Sequence, residues 1–196
     1  VDGLSGPKTR QAIVDACRKV GVKRKTDLFD RGVRGVVWHW TAGSKGLIAL
    51  EKKAYNFLHT VEGDTHDGFS TIPEQVMYDW RRGIGASHTR HMNTGWIGQS
   101  LDAMAGAKQT NPITYGSNPI TWEGIDAMLE WTADLHREYG FPISKWTTLS
   151  HAEVQPTLGV RQKWKWDYVI LPGDKVSRDA VEVGTILRER LKEKFL

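Results

Sequence analysis

Two histidines and one aspartate, far apart in the chain, have the side-chain types of a hydrolytic metal centre. They are His39 in Val36-Val-Trp-His-Trp-Thr-Ala-Gly43, His151 in Leu149-Ser-His-Ala-Glu-Val154, and Asp167 in Lys163-Trp-Lys-Trp-Asp167. Each stands at the end of a strand-like run or in a loop. Zinc accepts imidazole nitrogen and carboxylate oxygen, and three protein ligands leave a fourth position for water. Water so bound ionises near neutral pH and can attack an amide carbonyl. Lys165, two residues before the carboxylate, adds a nearby ammonium. Taken singly, His39 and His151 also read as core histidines. Asp167 lies in an aromatic run, a costly place for a carboxylate that lacks a cation or donor.

The elements that must position these residues follow from patterning. Residues 35–40, Gly-Val-Val-Trp-His-Trp, read as a buried strand. A helix is expected over about 46–60, short strands near 69–72 and 75–80, and a strand from Trp96 to Ala103. Thr121 is the expected N-cap of a long helix with an apolar stripe of Ile125, Met128, Leu129, Thr132 and Leu135, stopped at Gly140. A short strand, 147–150, delivers His151. A last helix over about 178–194 turns Ala180, Val183, Leu187 and Leu191 inward. Residues 61–68 and 105–120 read as loops. Strands and helices mixed at this density predict an α/β fold with a mixed central sheet flanked by helices.

Bulk properties narrow the class. The 196 residues, with nine tryptophans, suffice for one packed domain. No apolar run approaches the roughly 20 residues of a membrane span, so stable membrane insertion is not expected. Twenty-seven Lys and Arg against 23 Asp and Glu give a net charge of +4. That excess is compatible with an anionic partner, but no basic stripe with interleaved aromatics suggests nucleic acid. The single cysteine, Cys17, excludes an internal disulfide and reads as a small buried residue of an N-terminal helix.

In four places the sequence resembles the zinc-dependent N-acetylmuramoyl-L-alanine amidases, the family that includes amidase-type phage endolysins and peptidoglycan recognition proteins. Val36 to Gly43 is similar to the first-ligand strand. Gly85-Ala-Ser-His-Thr89 with Asn93-Thr-Gly-Trp-Ile-Gly98 resembles the groove segment. Leu149 to Val154 resembles the second-ligand motif, and Lys165-Trp-Asp167 the element carrying the catalytic lysine and third ligand. The resemblance covers about residues 33–192. It implies zinc on His39, His151 and Asp167, with Lys165 catalytic. It also implies substrate contacts from His88, Asn93, Trp96 and Trp166, with Glu153 buttressing a ligand imidazole. The implied substrate is peptidoglycan, cut between the lactyl group of muramic acid and L-alanine. The implied setting is a monomeric phage or prophage endolysin, or a wall-remodelling enzyme. A peptidoglycan-binding protein without turnover is the alternative.

Two departures from the family pattern stand out. Phe69 aligns with the family's Tyr in Tyr-His-Phe, and Ser100 with its Glu after Ile-Gly, which leaves Glu74, Asp102 and His88 as candidate proton acceptors. His59 and His66 read as structural or surface residues, and His91 as a loop residue. Asp2-Gly-Leu-Ser-Gly-Pro-Lys-Thr9 resembles the signature of a small peptidoglycan-binding module. Residues 1–25 are therefore expected to be a remnant of such a module or a linker, and 26–196 the catalytic domain. No secretory leader is visible at Val1-Asp2-Gly3. The expectation is synthesis in the host cytoplasm and release to the wall through a membrane lesion.

Overall fold

The computed structural model describes residues 32–43 and 45–196. The expectations for residues 1–25, including the module signature and Cys17, lie outside the described residues. Elements follow in the order β1 (Gly35–Trp40), α1 (Ala49–Ala54), β2 (Phe57–His59), β3 (Thr65–Asp67), α2 (Ile72–Val76), β4 (Trp96–Leu101), α3 (Trp122–Tyr139), β5 (Thr148–Ser150), α4 (His151–Leu158) and α5 (Ala180–Phe195). The strands form one mixed sheet of order β3-β2-β4-β1-β5. β2, β4, β1 and β5 run parallel, and only β3 is antiparallel, at the edge beside β2.

β1 is an interior strand between β4 and β5, and all six of its residues are buried. Its alternation divides the molecule in two. Val36, Trp38 and Trp40 join Ile97 and Leu101 of β4 in the main core, against Ile125, Met128 and Leu129 of α3 and Val183, Leu187 and Leu191 of α5. Val37 points the other way, into a smaller cluster with Met92, Trp96, Leu149 and Val154. His39 shares the parity of Val37.

The long helix is set by its ends. Thr121 Oγ1 accepts from the Gly124 amide at 3.1 Å, and Gly140 closes the helix in the left-handed region (φ 71°). The predicted stripes of α3 and α5 are buried except for the half-buried Ala180. The stretch 69–80 differs from expectation. Thr71 and Glu74 form a reciprocal cap with Pro73 in the first turn, so residues 72–76 are helical. Only an isolated bridge between Asp79 and Ile84 remains of the second expected strand. The expected helix over 46–60 ends at Ala54, because Phe57–His59 pair with β4. The 61–68 loop contains the edge strand β3. No helix among the described residues is long and apolar enough to cross a membrane.

Candidate metal centre

The parallel register brings the two distant histidines together. Trp38 pairs with Ser150, so the next residue on each strand, His39 and His151, emerge side by side at the carboxyl ends of β1 and β5. Ligand sites of parallel sheets form at such ends. Ser150 ends its strand because it caps α4. Its amide donates to Glu153 Oε2 at 2.8 Å, while its hydroxyl accepts from the Glu153 amide at 3.3 Å. His151 is therefore the first residue of α4, with its ring centroid 4.6 Å from that of His39.

Asp167 is pressed into the site by its neighbours. Trp166 and Tyr168 pack on Trp40 with centroids 4.9 and 5.3 Å away. Tyr168 is fully buried and holds a positive φ of 61°, a conformation a tyrosine keeps only when packing enforces it. Anchored on both sides, Asp167 places Oδ2 3.4 Å from His39 Nδ1 and 3.3 Å from His151 Nδ1. The three donor atoms lie within 4.8 Å of one another. A tetrahedral ion with bonds of ~2.0–2.1 Å separates its ligand atoms by about 3.4 Å, so the two spacings to Asp167 suit zinc.

The far side of each ring decides which nitrogen faces inward. His88 Nε2 lies 3.0 Å from the Trp96 carbonyl, which can only accept, so that nitrogen carries the proton. His88 Nδ1 then holds a lone pair, 3.2 Å from His39 Nε2. Two lone pairs cannot face each other at that distance, so His39 Nε2 is the donor and Nδ1 is left bare toward Asp167. Thr89 Oγ1, 2.9 Å from His88 Nδ1 and 3.3 Å from His39 Nε2, completes the cluster. His151 is treated alike. Its Nε2 lies 3.1 Å from Gln162 Oε1, and the Gln162 amide nitrogen donates to the carbonyls of Arg90 and Val160. Two imidazole lone pairs and a carboxylate thus converge, the donor set of a cation site.

Electrostatics agree. Burial lowers His39 to about 4, despite the opposing pull of Asp167. Burial also holds His88 well below the usual imidazole range, with the neighbouring His39 adding to it. Burial would raise Asp167, but the two histidines outweigh it and keep the carboxylate ionised. Near neutral pH the site therefore offers His39 as a neutral imidazole and Asp167 as an anion, as metal binding requires.

The other expected site residues are placed differently. His88 is buried behind His39 rather than facing outward, and Gly98 makes room for it: a Cβ at Gly98 would lie 2.5 Å from the ring. Asn93 uses its Oδ1 to accept from the amides of His88 and Thr89. Trp96 is buried in the smaller cluster, and Trp166 leans on Trp40. Lys165 is exposed, and its charge is felt at His39.

Glu153 is not a partner of a ligand imidazole. Besides capping α4 it accepts from Arg188 Nη1 at 2.9 Å. Gln162 holds the position expected of it. The candidate proton acceptors are also committed elsewhere. Glu74 caps α2, and Asp102 accepts from the Gly46 amide at 2.8 Å and the Thr41 hydroxyl at 3.3 Å.

Phe69 is 62% exposed, whereas Tyr55 lies beside His39 with centroids 5.1 Å apart. The phenol belongs to Tyr55-Asn-Phe57, whose last residue opens β2. Those residues spell the Tyr-x-Phe pattern that was placed at Phe69, so the signal existed one strand earlier. Ser100 stands opposite His39 in the β1–β4 register.

No protein-family model matches the sequence, and none of the curated proteins resembles it in sequence. Solved structures do resemble the fold. The Staphylococcus aureus hydrolase AmiA, solved in complex with its ligand, aligns over 98% of this chain and 97% of its own at 13% identity, with a TM-score of 0.50. The N-acetylmuramoyl-L-alanine amidase LysC from Clostridium intestinale URNW covers 84% and 88% at 15% identity and TM-score 0.48. The N-acetylmuramyl-L-alanine amidase AmiD from E. coli, solved with anhydro-N-acetylmuramic acid-L-Ala-D-gamma-Glu-L-Lys, covers 61% and 48% at 20% identity and TM-score 0.42. At these identities the likeness is one of fold, carried by the full-length alignment with AmiA.

Proposed function

We propose that this chain is a zinc-dependent N-acetylmuramoyl-L-alanine amidase that degrades peptidoglycan, of the endolysin or wall-remodelling kind. The observation that carries the reading is the convergence of His39 Nδ1, His151 Nδ1 and Asp167 Oδ2 at spacings that suit zinc, with both outer ring nitrogens already used. The resemblance of the four sequence segments to the amidases supplies the substrate class.

When bound by these three atoms, zinc supplies Lewis acidity to a carbonyl oxygen and to water. The chain's own residues do the rest. Asp167 balances charge at the centre and is held there by Trp166 and Tyr168. Lys165 offers its ammonium to the oxyanion that forms as the lactyl carbonyl is attacked. Tyr55 is kept protonated, since burial and then the charge of Asp167 push its ionisation above the usual phenol range. It serves as a hydrogen-bond donor beside His39 rather than as a base. Hydrolysis breaks the lactyl C–N bond, leaving a carboxylate on the muramic acid and a free amine on L-alanine.

Incubation of purified peptidoglycan with the zinc-loaded protein tests this reading. Released stem peptides with new L-alanine amino termini are expected. Binding without release would instead identify a recognition protein that does not turn over. Lys165→Ala should cut turnover by more than tenfold with zinc stoichiometry unchanged. Equal loss of both would make the lysine structural.

A further inference from the structure

Alongside α4 runs an open groove of about 970 Å³, floored by Ala152, Gln155 and Pro156 and walled by residues 161–165 and Arg90. None of His39, His151 and Asp167 lines it. Its charge is one-sided: Arg90, Arg161, Lys163 and Lys165 contribute, and no acidic residue does. Over the whole chain 27 cations stand against 23 anions, so these four without a carboxylate are a local concentration. Among the described residues none of the four pairs with a carboxylate, and Arg90 Nε donates to the neighbouring His91 ring at 3.1 Å. Trp164 holds a left-handed φ of 53° and is 87% exposed. A bulky residue is uncommon in that conformation, and an indole so exposed keeps its apolar faces free for a partner.

Gln162 fixes the shape of the groove. Its side chain accepts from His151 Nε2, the ring nitrogen turned away from the metal centre, and donates to the Arg90 carbonyl at 3.0 Å. Its backbone N–H donates to Gln155 Oε1 at 3.0 Å. Arg90, distant in sequence, is thereby held against the segment 161–165. That segment sorts its residues by alternation. Gln162 and Trp166 turn inward, to His151 and to Trp40, while Arg161, Lys163 and Lys165 are exposed. The groove thus lies behind the His151 ring, apart from the place where a metal would be bound.

We propose that this groove is an exosite for a phosphodiester polymer of a small polyol, poly(glycerol phosphate) in chemical type, and that it holds the protein on surfaces rich in such chains. The site is separate from the metal centre, and the inference goes beyond the amidase reading. Arg161 and Lys163 are two residues apart, which is at most ~7 Å along an extended chain. A phosphodiester repeat on a three-carbon polyol has as many backbone bonds as two residues, so its charges recur at a matching interval. Arginine takes a phosphate through parallel hydrogen bonds, and lysine meets it as a point charge. The groove is concave, which admits a flexible chain and keeps out a bilayer surface. Membrane-surface elements present a continuous apolar face, whereas Trp164 is the one large apolar side chain here. Single-stranded nucleic acid is held by several aromatic platforms for successive bases, and one exposed indole does not supply them. Lys165, already assigned to the oxyanion, is not needed for this role.

The test is binding, separate from turnover. Fluorescence anisotropy of a dye-labelled poly(glycerol phosphate) oligomer is followed as the zinc-loaded full chain is added. The oligomer should bind at least tenfold more tightly in 50 mM than in 500 mM NaCl, as release of counterions requires. Arg161→Glu with Lys163→Glu should weaken binding at least tenfold, and Arg161→Gln with Lys163→Gln by a smaller factor. Trp164→Ala should weaken it about threefold. Zinc stoichiometry and circular dichroism should stay unchanged in all three. Arg82→Glu with Lys192→Glu, exposed cations outside the groove, makes the same change in net charge and should leave the affinity within about twofold. No detectable binding, an affinity that survives the groove variants, or an equal loss in the outside variant would overturn the exosite. Tighter binding of oligothymidylate of equal charge, or of phosphatidylglycerol vesicles at equal phosphate, would overturn the polyol polymer and give the groove to nucleic acid or to a membrane. Release of stem peptides from peptidoglycan stripped of phosphodiester polymers tests the amidase reading alone, and none of these outcomes touches it.

Discussion

His39 and His59 are both buried histidines near the carboxyl ends of parallel strands, on opposite faces of the same sheet. Burial is the leading cause that lowers each of them to about 4. Their hydrogen bonds separate them. His59 Nδ1 lies 2.9 Å from Thr65 Oγ1, and its Nε2 lies 2.8 Å from Gln99 Oε1. Gln99 passes its own amide to Thr132 Oγ1, which also accepts from Trp38 Nε1 and donates to the Met128 carbonyl. Every polar atom of that chain is paired with a neutral group. His39 has only its outer nitrogen so paired, and its Nδ1 faces a carboxylate and a second imidazole. Neither burial nor a depressed pKa marks a ligand. The direction of the last free lone pair does.

The sharpest way to break this comparison is to exchange the two residues' fates. His39→Ala should reduce zinc stoichiometry from one per chain to near zero, while His59→Gln should leave it at one. Metal analysis of the purified variants decides it. Zinc lost in both, with circular dichroism still native, would mean that the two sites are not distinct.

A smaller effect is expected one bond further out. His88→Phe removes the acceptor that sets the His39 tautomer, and outer partners of this kind typically contribute 10–100-fold to metal affinity. Competition with a chromophoric chelator should show a loss in that range. Gly98→Ala, which pushes on the same ring, should weaken zinc in the same direction and cost about 1–3 kcal/mol of stability. An unchanged affinity in His88→Phe would remove the tautomer argument.

On the other face the expected signature is acid sensitivity rather than metal loss. The unfolded chain protonates His59 below 6.5, whereas the folded chain resists until about 4. Its contribution is intact above 6.5, falls as the pH drops, and reaches a loss of about 3 kcal/mol near pH 4. Urea titrations of the metal-free protein across that window should be flatter for His59→Gln than for the parent. A parallel pair of curves would deny His59 this role.

The smallest effect belongs to Gln162→Leu, which strands the His151 Nε2–H. A loss of about 1 kcal/mol in thermal stability is expected, with a slight weakening of zinc. A loss of binding as large as that of His39→Ala would promote Gln162 from support to a part equal to the ligands.

Much of this was legible along the chain. The buried run of β1, the stripe and cap of α3, the last helix and the three ligand candidates are local patterns, set by side-chain period and capping chemistry within a few residues. The misread stretch at 69–80 failed for a local reason too, since Thr71 and Glu74 form a cap that outweighs the extended look of the segment. Tyr55 was hidden because the strand that follows it, Phe57–His59, is too short to show a period. The roles of Glu153 and Gln162 were not readable at all. Each depends on a partner 11 to 35 residues away, His151 for one and Arg188 for the other.

The amino-acid sequence by itself determined which residues could bind a metal and which elements would carry them, because residue type and local periodicity are properties of short segments. Only the tertiary structure decided that His39, and not His59, presents a bare nitrogen. The same holds for the pairing of Gln162 with His151 and of Glu153 with Arg188. Lone-pair direction, burial and the field of neighbouring charges depend on parallel register and on contacts between distant segments, and these exist only once the sheet has formed.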